Sequence, residues 1–373
     1  MEPRALLSTF TVTTTADAGS GSLRQAIFDA NAQPSADTIA FAIPGDGVQT
    51  IRPSSPLPAL TAPATIDGTT QPGYANRPLI ALDGTGAGSA SGILVKAAGC
   101  TIAGLSVGNF SSRGINIGGP PRPQVLGNLI SGNGDAGTEL GFDSVQGAVI
   151  QGNRIGTDTN SVLPLGNHGA GITINFDAGN STIGGPSPGQ ANIIAYNNAI
   201  FTWAGVLIDR GSTGINISGN SIHDNKGLGI DLNHDGVTPN TPGGPHAGAN
   251  LLQNYPVLTS TSASGTTTTV VGTLNAAPGT TYRLEFLDAA TPDPTGYGQG
   301  QTYLGLLNVT TDRGYGERRG GVGRPDRGPG QRGGEAPAAI GPRERRGPSG
   351  SRGPGESPGL EVGVGHLPVH RAT

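Results

Sequence analysis

An Asn, one variable residue, an Ile, two more variable residues and then Asn or Asp recur four times along the middle of this chain. The copies are Asn128–Asn133, Asn153–Asp158, Asn192–Asn197 and Asn220–Asn225. A second unit interleaves with the first: Gly, an aliphatic residue, a variable residue, another aliphatic. It reads Gly114–Ile117, Gly171–Ile174, Gly205–Ile208, Gly214–Ile217 and Gly229–Leu232. Each unit is a strand of three or four residues, too short to stand alone. Units that cannot bury their own apolar face must stack on their neighbours.

The spacing sets the shape of the stack. The first two Asn units start 25 residues apart and the last two 28. That length suits one coil of three short strands and three turns, a parallel β-helix. The step of 39 from Asn153 to Asn192 requires an insertion, at 160–167 or 184–190. In this geometry Ile130, Ile155, Ile194 and Ile222 point inward and stack. Asn128, Asn153, Asn192 and Asn220 sit at turns, where Asn tolerates the left-handed conformation. Their amides would bond one coil to the next as a ladder. Gly would open each strand where the chain bends.

Composition agrees. Gly at 65 and Pro at 30 of 373 residues are high, while aromatics are 4% and charged residues 13%. A wholly disordered chain would carry more charge. The net charge of −4 gives no general reason to expect nucleic acid as a partner. Cys100 is the single cysteine, which excludes an internal disulfide and a thiolate metal cluster. Its apolar setting reads as a buried, inert thiol. No apolar run reaches the roughly 18 residues of a membrane span. The opening residues show no signal peptide.

Residues 8–255 form the expected β-helix domain, with 8–95 as its leading segment and 100–255 as its repeat coils. Ser22 followed by Gln25 is a capping-box pattern. Leu23, Ala26, Ile27 and Ala30 then share one helical face, which predicts a short amphipathic helix over 22–32. Short strands are expected at 10–15, 38–43, 65–67, 79–82 and 92–95. A β-helix exposes pairing edges at its ends, and this helix is placed to cover the first. Residues 256–312 change pattern. Longer strands at 266–274, 280–287 and 303–310 lack the Asn repeat and predict a partial antiparallel β-sandwich.

Residues 313–373 change again. They hold eleven of the twenty Arg and no Asn, with net charge +5 against −9 for the rest. A Gly/Arg/Pro tail of this kind is expected to be disordered. Its composition is that of GC-rich DNA translated out of frame, and it interrupts the sandwich in mid-pattern. The competing reading, a basic nucleic-acid tether, is the weaker one.

Several segments resemble a family. Thr11–Asp17, Gly21–Ile27 with Ala30-Asn31, and Thr65–Gly73 resemble the N-terminal module of large bacterial surface proteins. Those proteins carry right-handed parallel β-helix repeats of the pectin-lyase-like fold. Ile155–Asp158, Gly229–Leu232, Asp235–Asn240 and Leu252–Val257 are similar to that family's later coils and exit. The resemblance covers residues 8–312. It implies a secreted or cell-surface scaffold, with polysaccharide or a cell-envelope component as the class of partner, and no particular reaction.

The same fold hosts polysaccharide lyases, hydrolases and epimerases, each of which needs its own set of side chains. Hydrolysis needs paired carboxylates on adjacent coils. Asn167-His168-Gly169 is the nearest fragment of a hydrolase motif, and it is incomplete. Lyase chemistry needs a cation and a base; Arg154 and Arg210 are available but stand in no motif. Asp231, Asn233 and Asp235 with Gly236 match the opening of a calcium loop. Its twelfth position is Pro242, and Asn240 is the oxygen donor left to close it. A plain turn is the competing reading. His223, His234 and His246, with Asp224 adjacent, match no metal spacing and read as solvated turn residues. Tyr196, Phe201 and Trp203 read as core packing. No complete catalytic constellation emerges. The expected function is a non-catalytic scaffold or adhesive module, with a polysaccharide lyase, hydrolase or epimerase as the alternative.

Overall fold

The computed structural model describes residues 7–119, 121–141, 145–198, 203–209, 211–244, 246–264, 267–291, 293, 296–312, 338–340 and 364–365. It divides into two compact units, residues 1–237 with 248–250, and 238–247 with 251–373.

The first unit is a parallel β-helix built from three sheets. The first sheet runs in chain order through eight strands, from Thr9–Val12 to Asn216–Ser218. The second has seven: Gln49–Ile51, Ile80–Asp83, Leu105–Gly108, Leu129–Ser131, Arg154–Ile155, Ile193–Ala195 and Ser221–His223. The third has six: Ile93–Val95, Ile115–Ile117, Thr138–Leu140, Ile172–Ile174, Val206–Ile208 and Ile230–Leu232. From the coil of Ala64–Asp67 onward each coil contributes one strand to each sheet, and all of these pairings are parallel.

Register explains why Ile recurs. In the second sheet Ile51, Leu82, Val107, Ile130, Ile155, Ile194 and Ile222 lie opposite one another in succession. All seven are buried in one continuous apolar cluster. Such a column removes apolar surface from water at every coil, worth about 25 cal/mol per Å². Cys100 belongs to the same core, and burial pushes its thiol up.

Two ladders of Asn flank this sheet. Nδ2 of Asn128 donates to Oδ1 of Asn153 at 3.1 Å, Asn153 to Asn192 at 2.9 Å and Asn192 to Asn220 at 2.9 Å. The second ladder runs from Asn133 to Asn167, Asn197 and Asn225, at 2.9, 2.9 and 3.0 Å. Each amide also closes backbone groups. Asn153 Oδ1 accepts the Asn128 N–H, and Asn153 Nδ2 donates to the Val125 carbonyl.

Three details of the repeat differ from the sequence reading. The left-handed conformation falls on the residue before the ladder Asn, not on the Asn itself. Gly127, Gly152 and Gly219 have φ between +63° and +69°. The Asn side chain acts as a hydrogen-bonding strut, and the turn is made one residue earlier. Second, the copy Asn153–Asp158 does not end in Asp158: its ladder position is filled by Asn167, after the inserted segment 157–166. Third, the Gly that opens each third-sheet strand answers a lack of space. A Cβ on Gly171 would meet Ile194 at 2.5 Å and the Asn197 amide at 2.9 Å. Gly214 is a different case, since Asn216–Ser218 belongs to the first sheet.

The helix spans Leu23–Asn31 and buries Leu23, Ala26, Ile27 and Ala30. Ser22 caps it, its Oγ accepting the Gln25 N–H at 3.2 Å. The reciprocal half of the capping box is not made: Gln25 Nε2 donates to Asp29 instead. The helix packs on the first two strands of the first sheet.

In the second unit, Val257–Ser264 pairs antiparallel with Thr267–Thr273, and Thr281–Ala289 with Thr302–Thr310. Each pair anchors a small sheet. Most of the tail lies outside the described residues. The five that are described depart from the expectation of disorder. Ala338–Ile340 pairs with Thr267–Thr273, and Val364–Gly365 with Thr281–Ala289. An edge strand offers free backbone groups that such segments can take up.

Candidate functional site

The outer face of the second sheet carries the acid–base groups. His223 ends the strand Ser221–His223, and its neighbour Ile222 points into the core. Strand alternation therefore turns His223 outward. Only 7% of it is exposed, so it is not the solvated turn residue read from sequence. Its Nδ1 lies 2.7 Å from Oδ2 of Asp224, whose side chain is 49% exposed. A carboxylate on Nδ1 fixes the imidazole tautomer and leaves Nε2 as the working nitrogen.

Tyr196 stands one coil away. Its ring meets that of His223 edge-on, with centroids 5.9 Å apart. It is half-buried at a turn and does not belong to the apolar core. Burial pushes its phenol above the ordinary range, and the Asp224 and Asp158 carboxylates push the same way. The group stays protonated, a proton donor at neutral pH.

The backbone at this site is strained. Tyr196 and Asp224 have φ of +61° and +52°. They fill the turn position just before ladder residues Asn197 and Asn225. In an earlier coil Gly132 fills it with φ of +66°. For a non-glycine residue this conformation costs about 1–2 kcal/mol. Strain of this kind clusters at functional sites.

Arg154 points from the neighbouring coil on the same face, and its Nε donates to Ser161 at 3.1 Å. Asp158 accepts the N–H groups of Val162 and Leu163, which holds its carboxyl below the usual range and caps the inserted loop. Arg210 and Phe201 lie outside the described residues.

A second polar cluster sits on the outer face of the third sheet. Glu139, 1% exposed, pairs with Arg113 and accepts from Asn175 Nδ2 at 3.1 Å. Arg113 Nε is also 3.1 Å from Asp135 Oδ2. Oδ1 of Asn116, Oγ1 of Thr173 and Oδ1 of Asn175 are buried there without a hydrogen-bond partner. The sequence held no signal for this cluster, because Arg113, Asp135 and Glu139 meet only when their coils stack.

Of the residues expected to hold calcium, Asn233 and Asn240 are engaged in turn bonds, while Asp231 Oδ1 is buried without a hydrogen-bond partner. Asn233 Oδ1 accepts the Ala249 N–H at 2.9 Å. The Asp231 carboxylate takes the backbone N–H groups of Gly236 and Asp235. Asn233 and His234 adopt φ of +71° and +59°. Asn240, the residue meant to close the loop, bonds the Tyr255 backbone in both directions. These oxygens build a turn, and among the described residues no three His, Cys, Asp or Glu gather to hold a metal. Burial raises the Asp231 carboxyl to about 6. His234 packs edge-on against Trp203 at 5.2 Å.

Residues 83–241 match the family described as right handed beta helix region. With its three stacked parallel sheets, the first unit has the fold of a right-handed parallel β-helix. No curated protein matches it. Among solved structures, the alginate lyase from Paenibacillus sp. str. FPU-7 aligns with TM-score 0.38 and 20% identity, over 57% of this chain and 75% of that one. The A-module of the mannuronan C-5 epimerase AlgE4 of Azotobacter vinelandii aligns with TM-score 0.32 and 14% identity, over 60% and 62%. Likeness at this level carries no substrate to this chain.

Proposed function

We propose that this is an extracytoplasmic protein that binds an acidic polysaccharide on the outer face of the second sheet and moves protons there. The observation that carries the reading is the His223–Asp224 pair with Tyr196 against it. A base with a fixed tautomer and a phenol kept protonated stand side by side, and Arg154 lies one coil from Tyr196 and two from His223. Within the uronate unit of such a polymer, His223 Nε2 takes the proton α to the carboxylate. That electron pair forms the new double bond, the glycosidic C–O bond breaks, and the Tyr196 phenol protonates the departing oxygen. Arg154 offsets the carboxylate charge that builds up. Return of the proton to the opposite face would instead epimerise the same carbon.

The full chain should be incubated with polygalacturonate and alginate in deuterated water. The reading expects ultraviolet absorbance from the unsaturated product, or deuterium at the uronate carbon. Tyr196→Phe and His223→Gln should lower either signal at least 100-fold while circular dichroism stays unchanged. Neither absorbance nor deuterium with either polymer would overturn the catalytic reading.

A second reading is a non-catalytic scaffold or adhesive module. The two Asn ladders and the Ile column support it, since they build a stable solenoid without any chemistry. They do not account for a tyrosine held in a glycine's conformation beside a His–Asp pair.

A further inference from the structure

The inserted segment 157–166 leaves the second sheet at the turn toward the third sheet. The segment 68–79 enters the second sheet from the opposite flank, ahead of Ile80–Asp83. The two flanks nevertheless touch: Arg77 donates to Thr159 Oγ1 at 2.8 Å, across 82 residues of sequence. The core fills the inner side of the sheet, so this contact crosses the outer face. It also spans three coil steps, from Ile80–Asp83 to Arg154–Ile155, or about 14 Å at the usual strand spacing.

The strap is bonded to the sheet beneath it. Arg154, on the floor, bonds Ser161 in the strap. Tyr74 of the opposite segment is pushed up by burial and by Asp67 and drawn the other way by Arg154, so its ring lies near that guanidinium. Leu129 lies one coil back, opposite Arg154. Its side chain points outward beside inward Ile130, yet it is only 9% exposed.

We propose that this strap walls off the binding face, so that the site receives the end of a polysaccharide chain and not its middle. Beyond the wall only two strands of the sheet remain, Ile193–Ala195 and Ser221–His223, and they carry Tyr196 and His223. Two coils give a floor of about 10 Å, room for a terminal unit or two. Arg77, Thr159 and Ser161 set this mode. All three hold the wall; Arg77 and Thr159 touch none of the reacting groups, while Ser161 also accepts from Arg154.

This inference rests on the function proposed above, and its test separates the two. The full chain acts on polygalacturonate or alginate while viscosity and product size are followed together. A walled site releases short products of one size while viscosity falls slowly. Replacing Asp158–Leu165 with Gly-Ser-Gly, or the milder Arg77→Ala with Thr159→Ala, should turn the products into a broad ladder. Viscosity should then drop at least five-fold faster per bond cleaved. An active wild type that gives a broad ladder from the start overturns the wall and leaves the catalytic reading standing. Unchanged products from both variants overturn it as well. A wild type inactive on every uronate polymer overturns the function and this inference together.

Discussion

Tyr196 and Asp224 occupy the same turn position on successive coils, both left-handed, where Gly132 stands in an earlier coil. The fold would accept glycine at both positions. The chain instead spends conformational energy to place a phenol and a carboxylate on either side of His223.

That strain is measurable. Asp224→Gly should raise stability by about 1 kcal/mol, because glycine adopts positive φ freely. The same change should abolish proton transfer by His223. Urea titration and the exchange assay check the two effects separately. A variant no more stable than the wild type would mean that the turn is unstrained.

The ladders make a contrasting prediction. Asn153→Ala removes a buried amide that serves the Asn128 N–H, the Val125 carbonyl and two neighbouring amides. Leaving those groups unpaired should cost about 3 kcal/mol or more. Asp158→Ala, at the aligned end of the same sequence copy, should cost far less, because Asn167 holds the ladder place.

The Asp231 carboxyl gives a pH signature. Its native value of about 6 lies above the ordinary 3.8 of an exposed aspartate. Between those limits the folded state binds more protons than the unfolded state. Stability therefore falls as pH rises from about 4 to 6 and levels off above. Asp231→Asn should remove this slope and gain up to about 3 kcal/mol at pH 7 relative to pH 3.5. Thermal melts across that range check it.

Chelation is the matching control. Asn233 Oδ1 already accepts the Ala249 N–H, and among the described residues no three His, Cys, Asp or Glu gather to hold a metal. EDTA should leave the melting temperature unchanged, and added calcium should not raise it. A calcium-dependent rise that Asp235→Ala removes would restore the metal site.

On the third sheet, Thr173→Val replaces a buried hydroxyl that has no partner by a methyl of similar size. Stability should rise by about 1 kcal/mol, read from the urea midpoint.

The amino-acid sequence by itself determined the solenoid. Ile at a fixed place in every copy and Asn two residues before it specify which residue faces the core and which faces the turn. That information is local and periodic, so it is legible without coordinates. The amphipathic face of the first helix was legible for the same reason. Reasons internal to a turn were not. Which residue carries positive φ, and whether a Gly answers torsion or crowding, depend on the neighbouring coil. Tertiary structure alone decided the candidate site. Tyr196 and His223 lie 27 residues apart in sequence, and Arg77 and Thr159 lie 82 apart. Stacking brings each pair together through the parallel register, and no spacing within a single coil encodes it.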